Sequence, residues 1–118
     1  MYSVKVEGHF SSAHNLRGYK GKCESLHGHN WKVEAEVRRK SLDKTGMVMD
    51  FKVLRQALKP ILDGLDHTYL NKTAPFDRTN PTSENIARFI YVQLEKKIPR
   101  IYSVTVWENE TCSATYSE

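Results

Sequence analysis

Two stretches near the start of the chain alternate apolar and polar residues, as half-buried β-strands do. The apolar positions are Tyr2, Val4, Val6 and Phe10 in the first stretch and Trp31, Val33, Ala35 and Val37 in the second. His14 continues the phase of the first set, and His27 and His29 precede the second set in the same phase. The alternation therefore predicts two strands that carry three histidines on their apolar faces.

The middle of the chain changes to the helical spacing of three and four residues. Its apolar stripes comprise Phe51, Leu54, Leu58, Ile61, Leu62 and Leu65, and then Ile86, Phe89, Ile90, Leu94 and Ile98. Asp50 stands where an N-cap would begin the first helix, and Thr82 and Ser83 stand where the second would begin. Pro60 predicts a kink or an early end of the first helix, because proline removes one backbone donor. The pattern predicts two amphipathic helices.

The end of the chain returns to alternation. Val104 and Val106 share a phase that continues to Glu108. A carboxylate on an apolar face needs a basic partner or a ligand, because unpaired burial is costly. After a turn, Cys112 starts a short terminal strand and is predicted to be a small buried apolar residue. The predicted order is strand, strand, helix, helix, strand, strand, which is an α+β fold.

Composition limits the possible classes of protein. The chain of 118 residues is 39% hydrophobic and has no apolar run that could span a bilayer. We expect one domain over residues 1–118 and, because the first residues lack the apolar block of a signal peptide, a cytoplasmic location. The net charge of +4 comes from scattered basic residues without a nucleic-acid motif. An anionic small molecule is therefore a better expected partner than nucleic acid or a membrane.

The segment CESLHGH, from Cys23 to His29, is the strongest candidate for chemistry. Alternate side chains of a strand share a face, so His27 and His29 project together, with Gly28 leaving room between them. If the first two strands pair as an antiparallel hairpin, His14 comes opposite and completes a three-histidine site with an open fourth position. Such a site favours a catalytic zinc ion. The alternatives are core histidines held by hydrogen bonds, or a structural zinc closed by Cys23.

Asp66 and His67 follow the first helix directly. A histidine beside a carboxylate at a helix exit is either a cap of the helix end or part of a functional site. The pattern of residues leaves both open.

Together, these residues resemble the 6-pyruvoyltetrahydropterin synthase family over essentially the full length of the chain. The matching motifs are Phe10 to His14, CESLHGHN from Cys23, Leu65-Asp66-His67, NPTSEN from Asn80, and Glu108. Three residues separate Cys23 from His27, which resembles the bacterial branch that forms 6-carboxytetrahydropterin for queuosine biosynthesis. The pyruvoyl-forming branch usually has four.

The resemblance implies the T-fold, or tunnelling fold, in which a four-stranded antiparallel sheet carries two helices on one face. Sheets of neighbouring subunits join into a barrel, usually as a trimer that stacks into a hexamer, so we expect a homo-oligomer. Family sites lie between subunits. Cys23 is therefore expected to meet Asp66 and His67 of a neighbouring chain.

The resemblance also implies a role for each candidate residue. Zinc would be bound by His14, His27 and His29, Cys23 would be the general base, Asp66 and His67 would be its partners, and Glu108 would bind the pterin and relay protons. His67 would hold Cys23 as a thiolate, the form that removes a carbon-bound proton.

The implied substrate is 7,8-dihydroneopterin triphosphate, and the implied products are 6-carboxy-5,6,7,8-tetrahydropterin, acetaldehyde and triphosphate. Arg17, Lys20 and Lys22 are candidates for steering the triphosphate, although solvated loop charges are the more common case. The alternatives are a pyruvoyl-forming synthase that retains the side chain, and a non-catalytic pterin- or purine-binding T-fold protein with a structural zinc. A pure binder would need neither Cys23 nor the Asp66-His67 pair.

Overall fold

The computed structural model describes residues 1–19 and 24–118. The elements in chain order are β1 (Tyr2–His14), β2 (His27–Arg39), α1 (Phe51–Leu65), β3 (Thr68–Tyr69), α2 (Ser83–Glu95), β4 (Ser103–Trp107) and β5 (Ser113–Ser117). A single 3₁₀ turn, Leu70–Lys72, follows β3. The predicted strand and helix order is confirmed, with β3 as an addition.

The strands form one sheet in the order β3-β1-β2-β4-β5. β1 and β2 pair antiparallel along their whole length, from Tyr2 opposite Arg39 to His14 opposite His27. β4 pairs antiparallel with both β2 and β5, which gives the four predicted antiparallel strands. β3 is parallel to β1 and pairs only with Ser12 and Ala13. Two residues are too few to produce a recognisable alternation in the sequence.

The two helices pack against the sheet and share one hydrophobic core with it. Val6 and Phe10 of β1 and the apolar set of β2 are in that core, with Trp31, Val33 and Val37 fully buried. Val4 packs against the core from its edge, whereas Tyr2, predicted to share its face, is exposed. Full burial of one such aliphatic side chain contributes about 1.5–3 kcal/mol. Gly8 lies where an added Cβ would come within 2.5 Å of Leu62 Cδ1, so its missing side chain lets α1 lie close against β1. The long hairpin is thereby fixed on a helical layer.

Three further local predictions from the sequence were wrong. The first helix does not end early at Pro60, but continues through it to Leu65. Phe51 is exposed instead of belonging to the core stripe. Cys112 is exposed as well, because Asn109 Oδ1 accepts hydrogen bonds from the backbone N–H groups of residues 111 and 112 and holds Cys112 in the turn before β5.

Within the described ranges, no helix combines the length and the apolar character that crossing a membrane requires.

Candidate metal centre

The hairpin of β1 and β2 brings the three candidate ligands together. His14 ends β1, His27 begins β2, and the two are directly opposite each other. His29 lies two residues further along β2 and therefore on the same face as His27. The ring centroids are 4.7 Å apart for His14 and His27, 5.1 Å for His14 and His29, and 4.7 Å for His27 and His29. The alternation that buries the strands thus also gathers the imidazoles.

Backbone carbonyl groups orient two of these rings. His14 Nδ1 lies 2.8 Å from the carbonyl oxygen of Pro81, and His27 Nδ1 lies 2.8 Å from that of Ser25. A carbonyl oxygen can only accept, so each Nδ1 must carry the proton and donate it. In the neutral rings the lone pair is then on Nε2, the atom that faces the other histidines. Partners of this kind typically fix the tautomer of metal-binding histidines.

The nitrogen atoms that face each other lack ordinary partners. His14 Nε2 and His27 Nε2 are 3.1 Å apart, although both carry lone pairs in the neutral rings. His29 Nε2 is buried and has no hydrogen-bond partner within the described part of the chain. It lies 3.0 Å from Glu108 Oε1, but the geometry is not that of a hydrogen bond. Such a cluster of acceptors suits a cation at its centre.

Glu108 directly follows β4 and brings a fourth candidate donor atom to the cluster. Its Oε1 is 3.0 Å from His29 Nε2 and 3.4 Å from His14 Nε2, and its side chain is 32% exposed. The four candidate ligand atoms all lie within 4.8 Å of one another. Ligands of a tetrahedral zinc ion, each about 2.1 Å from the metal, stand about 3.4 Å apart. The residues present therefore fit a zinc-sized ion without rearrangement of the strands.

Burial lowers the pKa of His29 below its usual value, and the neighbouring His14 and His27 act in the same direction against the opposing carboxylate of Glu108. The neutral imidazole is the form that binds a metal ion. His14 is almost completely buried, with 1% of its side chain exposed. These effects favour the neutral, metal-binding form of His29 beside the carboxylate of Glu108.

Asp66 and His67 form a second group, beside β1 and just before β3. Asp66 Oδ1 accepts from the backbone N–H of Ser11 at 2.8 Å, and Asp66 Oδ2 lies 2.9 Å from His67 Nδ1. The Ser11 N–H and the hydrogen bond from His67 lower the pKa of Asp66 against a smaller opposing effect of burial. His67 has a left-handed backbone (φ 56°), and its side chain is 84% exposed. Asp66 is anchored, while its partner imidazole faces outward.

The structure does not join this pair to the histidine cluster within one chain, since the metal-binding group among the described residues contains neither Asp66 nor His67. Cys23, Lys20 and Lys22 lie outside the described residues. Arg17 is described, and its guanidinium donates to the carbonyl oxygen of Phe76. It is therefore not a freely solvated loop charge.

The groups that orient the site were not predicted from the sequence. Two of these groups are the backbone carbonyls of Ser25 and Pro81. Every residue type has a backbone carbonyl, so the sequence does not indicate which ones will accept from a histidine. Asn71 and Asn80, which bond the backbone just beyond His14, were also missed as site residues. Asn80 begins the NPTSEN motif, which was the available signal.

The sequence is similar to that of known proteins over nearly its whole length. Residues 3–118 match the family described as 6-pyruvoyl tetrahydropterin synthase. A 6-carboxy-5,6,7,8-tetrahydropterin synthase of Synechocystis is 40% identical over 122 residues, covering 98% of this chain and 93% of that protein. The protein of the same name from Haemophilus influenzae is 33% identical, with both chains covered completely.

The fold comparison agrees with the sequence comparison. The structure of Caenorhabditis elegans 6-pyruvoyl tetrahydropterin synthase superposes with a TM-score of 0.86 at 28% identity, covering 99% of this chain and 95% of the other. The predicted T-fold is confirmed by this similarity. Because the family match and both relatives extend over nearly the whole sequence, the chain belongs to the 6-pyruvoyl tetrahydropterin synthase family.

Proposed function

We propose that the chain converts 7,8-dihydroneopterin triphosphate and one water molecule into 6-carboxy-5,6,7,8-tetrahydropterin, acetaldehyde and triphosphate, with zinc held by His14, His27 and His29. The observation that carries this proposal is the convergence of three imidazole nitrogens and the Glu108 carboxylate within 4.8 Å. A family of pterin synthases supplies the substrate class, and the cluster supplies a place for the chemistry.

The choice of product rests on the relatives and on one loop length. A relative named for the carboxy product is 40% identical over 98% of this chain, a modest margin over relatives named for the pyruvoyl product, which are 33% and 37% identical over 98% and 83% of it. The superposed structure is also named for the pyruvoyl product. The spacer of three residues between Cys23 and His27 favours the same choice. The pyruvoyl-forming reaction, which keeps the whole side chain, is the second candidate because of that close structural similarity.

Each protein residue has a defined task in the proposed reaction. Cys23 removes a carbon-bound proton of the substrate side chain as a thiolate. His67 stabilises that thiolate when protonated, and the Asp66 carboxylate stabilises the imidazolium. The depressed pKa of Asp66 keeps this carboxylate charged at neutral pH. The pair is therefore a suitable partner for a cysteine base.

Glu108 binds the heterocycle in this proposal. A pterin presents ring and amino N–H groups on one edge, and a carboxylate can accept both as charge-assisted hydrogen bonds. A bound zinc ion would supply a Lewis acid that polarises the oxygens of the substrate side chain. Histidines whose Nδ1 protons are held by carbonyl oxygens present Nε2 to that ion.

The test is to incubate the zinc-loaded protein with 7,8-dihydroneopterin triphosphate, weigh the pterin product and trap released acetaldehyde. We expect carboxytetrahydropterin and one acetaldehyde for each turnover. A product that keeps the three-carbon side chain would move the assignment to the pyruvoyl-forming reaction. Tight pterin binding without any turnover would identify a non-catalytic pterin-binding protein instead.

A further inference from the structure

The backbone immediately after His14 is bonded on both of its edges. On one edge, Asn71 makes two hydrogen bonds to Asn15: its Oδ1 accepts from the Asn15 N–H at 3.0 Å, and its Nδ2 donates to the Asn15 carbonyl at 2.8 Å. Asn80 does the same at Arg17, with distances of 2.8 Å and 3.1 Å. Each carboxamide therefore satisfies both backbone groups of one residue.

The residue between these two uses the opposite edge. The carbonyl oxygen of Leu16 accepts from the backbone N–H of Glu24 at 2.9 Å. The Leu16 N–H donates to Glu24 Oε1 at 3.3 Å. The same carboxylate oxygen is 3.7 Å from His27 Nδ1. All six backbone groups of residues 15–17 are thus satisfied, alternating between two edges as in the middle strand of a sheet.

The two asparagines continue a row of contacts that begins further back along β1. Ser11 bonds Asp66 and the His67 N–H, and the next two residues pair with β3. Beyond β3 the chain no longer runs as a strand, and the carboxamides of Asn71 and Asn80 take the place of one. A side-chain amide can do this because it has the same donor and acceptor as a peptide group.

Both asparagines are themselves held in place. Asn71 lies within the 3₁₀ turn Leu70–Lys72. The carbonyl oxygen of Asn80 accepts from the Thr82 N–H at 2.8 Å and from Asn85 Nδ2 at 2.9 Å. The next carbonyl, that of Pro81, orients His14. The segment before α2 therefore fixes a candidate ligand and the backbone that follows it.

We propose that Asn71 and Asn80 are positioning residues of the candidate active site. They hold residues 15–17 in place of a neighbouring strand and thereby fix Glu24, three residues before His27. The kinetic part of this inference rests on the proposed function, because Glu24 is joined by one peptide bond to the predicted base, Cys23. Neither carboxamide is assigned a contact with substrate.

The test compares Asn71→Ala and Asn80→Ala with Asn30→Ala in zinc-loaded protein. Asn30 is a matched control, because among the described residues its exposed side chain accepts a hydrogen bond from the Ser11 hydroxyl alone. We call the side chains of Asn71 and Asn80 the carboxamide clamp. In both clamp variants we expect kcat to fall about tenfold to a hundredfold, the cost typical of misplaced catalytic groups, with KM nearly unchanged. Zinc content should stay at the wild-type level, and Asn30→Ala should keep wild-type kcat.

Amide hydrogen exchange provides a readout that does not need activity. Loss of either carboxamide should speed exchange at the Glu24 N–H, although neither asparagine touches it. Wild-type kcat, a change in KM alone, or unchanged protection at Glu24 would overturn the proposal. If the wild-type protein does not turn over the pterin, the proposed function fails. The exchange rate of the Glu24 N–H then tests by itself whether the two carboxamides hold this segment. Asn71→Ala and Asn80→Ala disturb the same backbone segment, residues 15–17. If one of the two variants does not fold, kcat and amide exchange of the other still test the proposal.

Discussion

The chemistry of single residues is set here as much by backbone carbonyls as by side chains. The carbonyl groups of Pro81 and Ser25 can only accept, so they determine which nitrogen of His14 and His27 carries the proton. Two lone pairs then face each other at 3.1 Å. A cation held by these nitrogens would relieve this repulsion, which is the physical reason to expect metal binding at this position.

The first prediction separates metal binding from proton transfer. Because Cys23 is proposed as a base and not as a ligand, Cys23→Ala should keep one zinc ion per chain and lose about two to four orders of magnitude in turnover. His27→Ala should lose both zinc and turnover. Zinc analysis and steady-state kinetics measure the two effects on the same samples.

Cys112→Ala is the matched control, because the Cys112 side chain is exposed and lies in the turn before β5. It should change neither zinc content nor turnover. Loss of zinc in Cys23→Ala would mean that the cysteine closes a structural site.

The second prediction concerns Glu108. Glu108→Ala should leave zinc content intact and reduce pterin affinity and kcat/KM by about 1.5 to 3 kcal/mol, the value of a lost charged hydrogen-bond pair. Glu108→Gln should cause similar damage, because an amide places an NH₂ group against the donors of the pterin. Fluorescence titration with a pterin, with zinc measured in parallel, checks both variants.

Two other results would contradict this role. Wild-type pterin affinity in both variants would show that the heterocycle is anchored elsewhere. Loss of zinc would show that Glu108, whose Oε1 is 3.0 Å from His29 Nε2, acts mainly as a metal ligand.

At the residue scale, strand phase predicted that His14, His27 and His29 share apolar faces, because side-chain direction has a period of two along a strand. It also put Glu108 on an apolar face, but it did not predict that this carboxylate lies beside the histidines. The same argument failed for Cys112, where the Asn109 side chain holds a turn and delays the strand. Strand phase cannot predict that the Pro81 carbonyl accepts from His14, or that Asn71 and Asn80 bond the backbone of residues 15–17. These contacts join segments that are distant in sequence.

At the scale of elements, the β1–β2 hairpin carries the site at one end and an ion pair near the other. Glu36 is buried at 7% exposure, accepts from the Ser3 hydroxyl at 2.7 Å, and is paired with Arg38. Burial raises the pKa of Glu36, but the hydrogen bonds from Arg38 and Ser3 outweigh that effect and keep the pKa below its usual value. The carboxylate thus connects β1 with β2.

The third prediction follows from the sign of that shift. A folded-state pKa below the unfolded value gives stability that is present above the unfolded pKa and lost as the pH falls through the folded pKa. The melting temperature of the wild-type protein should therefore fall with pH from about 4.5, the ordinary pKa of a glutamate, down through the folded pKa of Glu36. Glu36→Gln should flatten this fall and cost about 1–3 kcal/mol at neutral pH. Thermal melts between pH 3 and 8 measure both effects.

Glu34→Gln on the same strand is the control. Glu34 lies 3.9 Å from Lys5, whose side chain is 53% exposed, and such surface pairs contribute little. Its pH profile should match that of the wild-type protein. An unchanged profile in Glu36→Gln would show that the buried pair does not set the acid stability of the hairpin.

The order of the main elements followed from periodicity, because each buries one face in a common core. Two features did not follow. Packing of the apolar stripe keeps α1 helical through Pro60 despite the lost donor. β3 exists because the Asp66 and His67 contacts with Ser11 bring its two residues beside β1, which is a tertiary effect.

At the scale of the whole molecule, the single chain leaves open sheet edges and an Asp66-His67 pair outside the histidine cluster. β3 pairs with only two residues of β1, and within the described residues the outer edge of β5 has no neighbouring strand. His67 projects away with 84% of its side chain exposed. Joining the sheets of several subunits would cover such edges, and it could bring His67 of one subunit to the metal centre of the next.

The last prediction tests this arrangement by mixing two inactive proteins. Cys23→Ala and His67→Ala are each expected to be inactive, but a site built from two subunits can combine the intact residue of each. After both are unfolded together in equal amounts and reassembled, random assortment should restore about one quarter of the wild-type sites. Cys23→Ala mixed with His27→Ala is the matched control and should stay inactive, because His14, His27 and His29 meet within one chain and Cys23 is only four positions from His27. Activity near one quarter in the first mixture alone would support a site shared between subunits. No recovery, with mixed oligomers verified by mass, would place all the catalytic residues in a single chain.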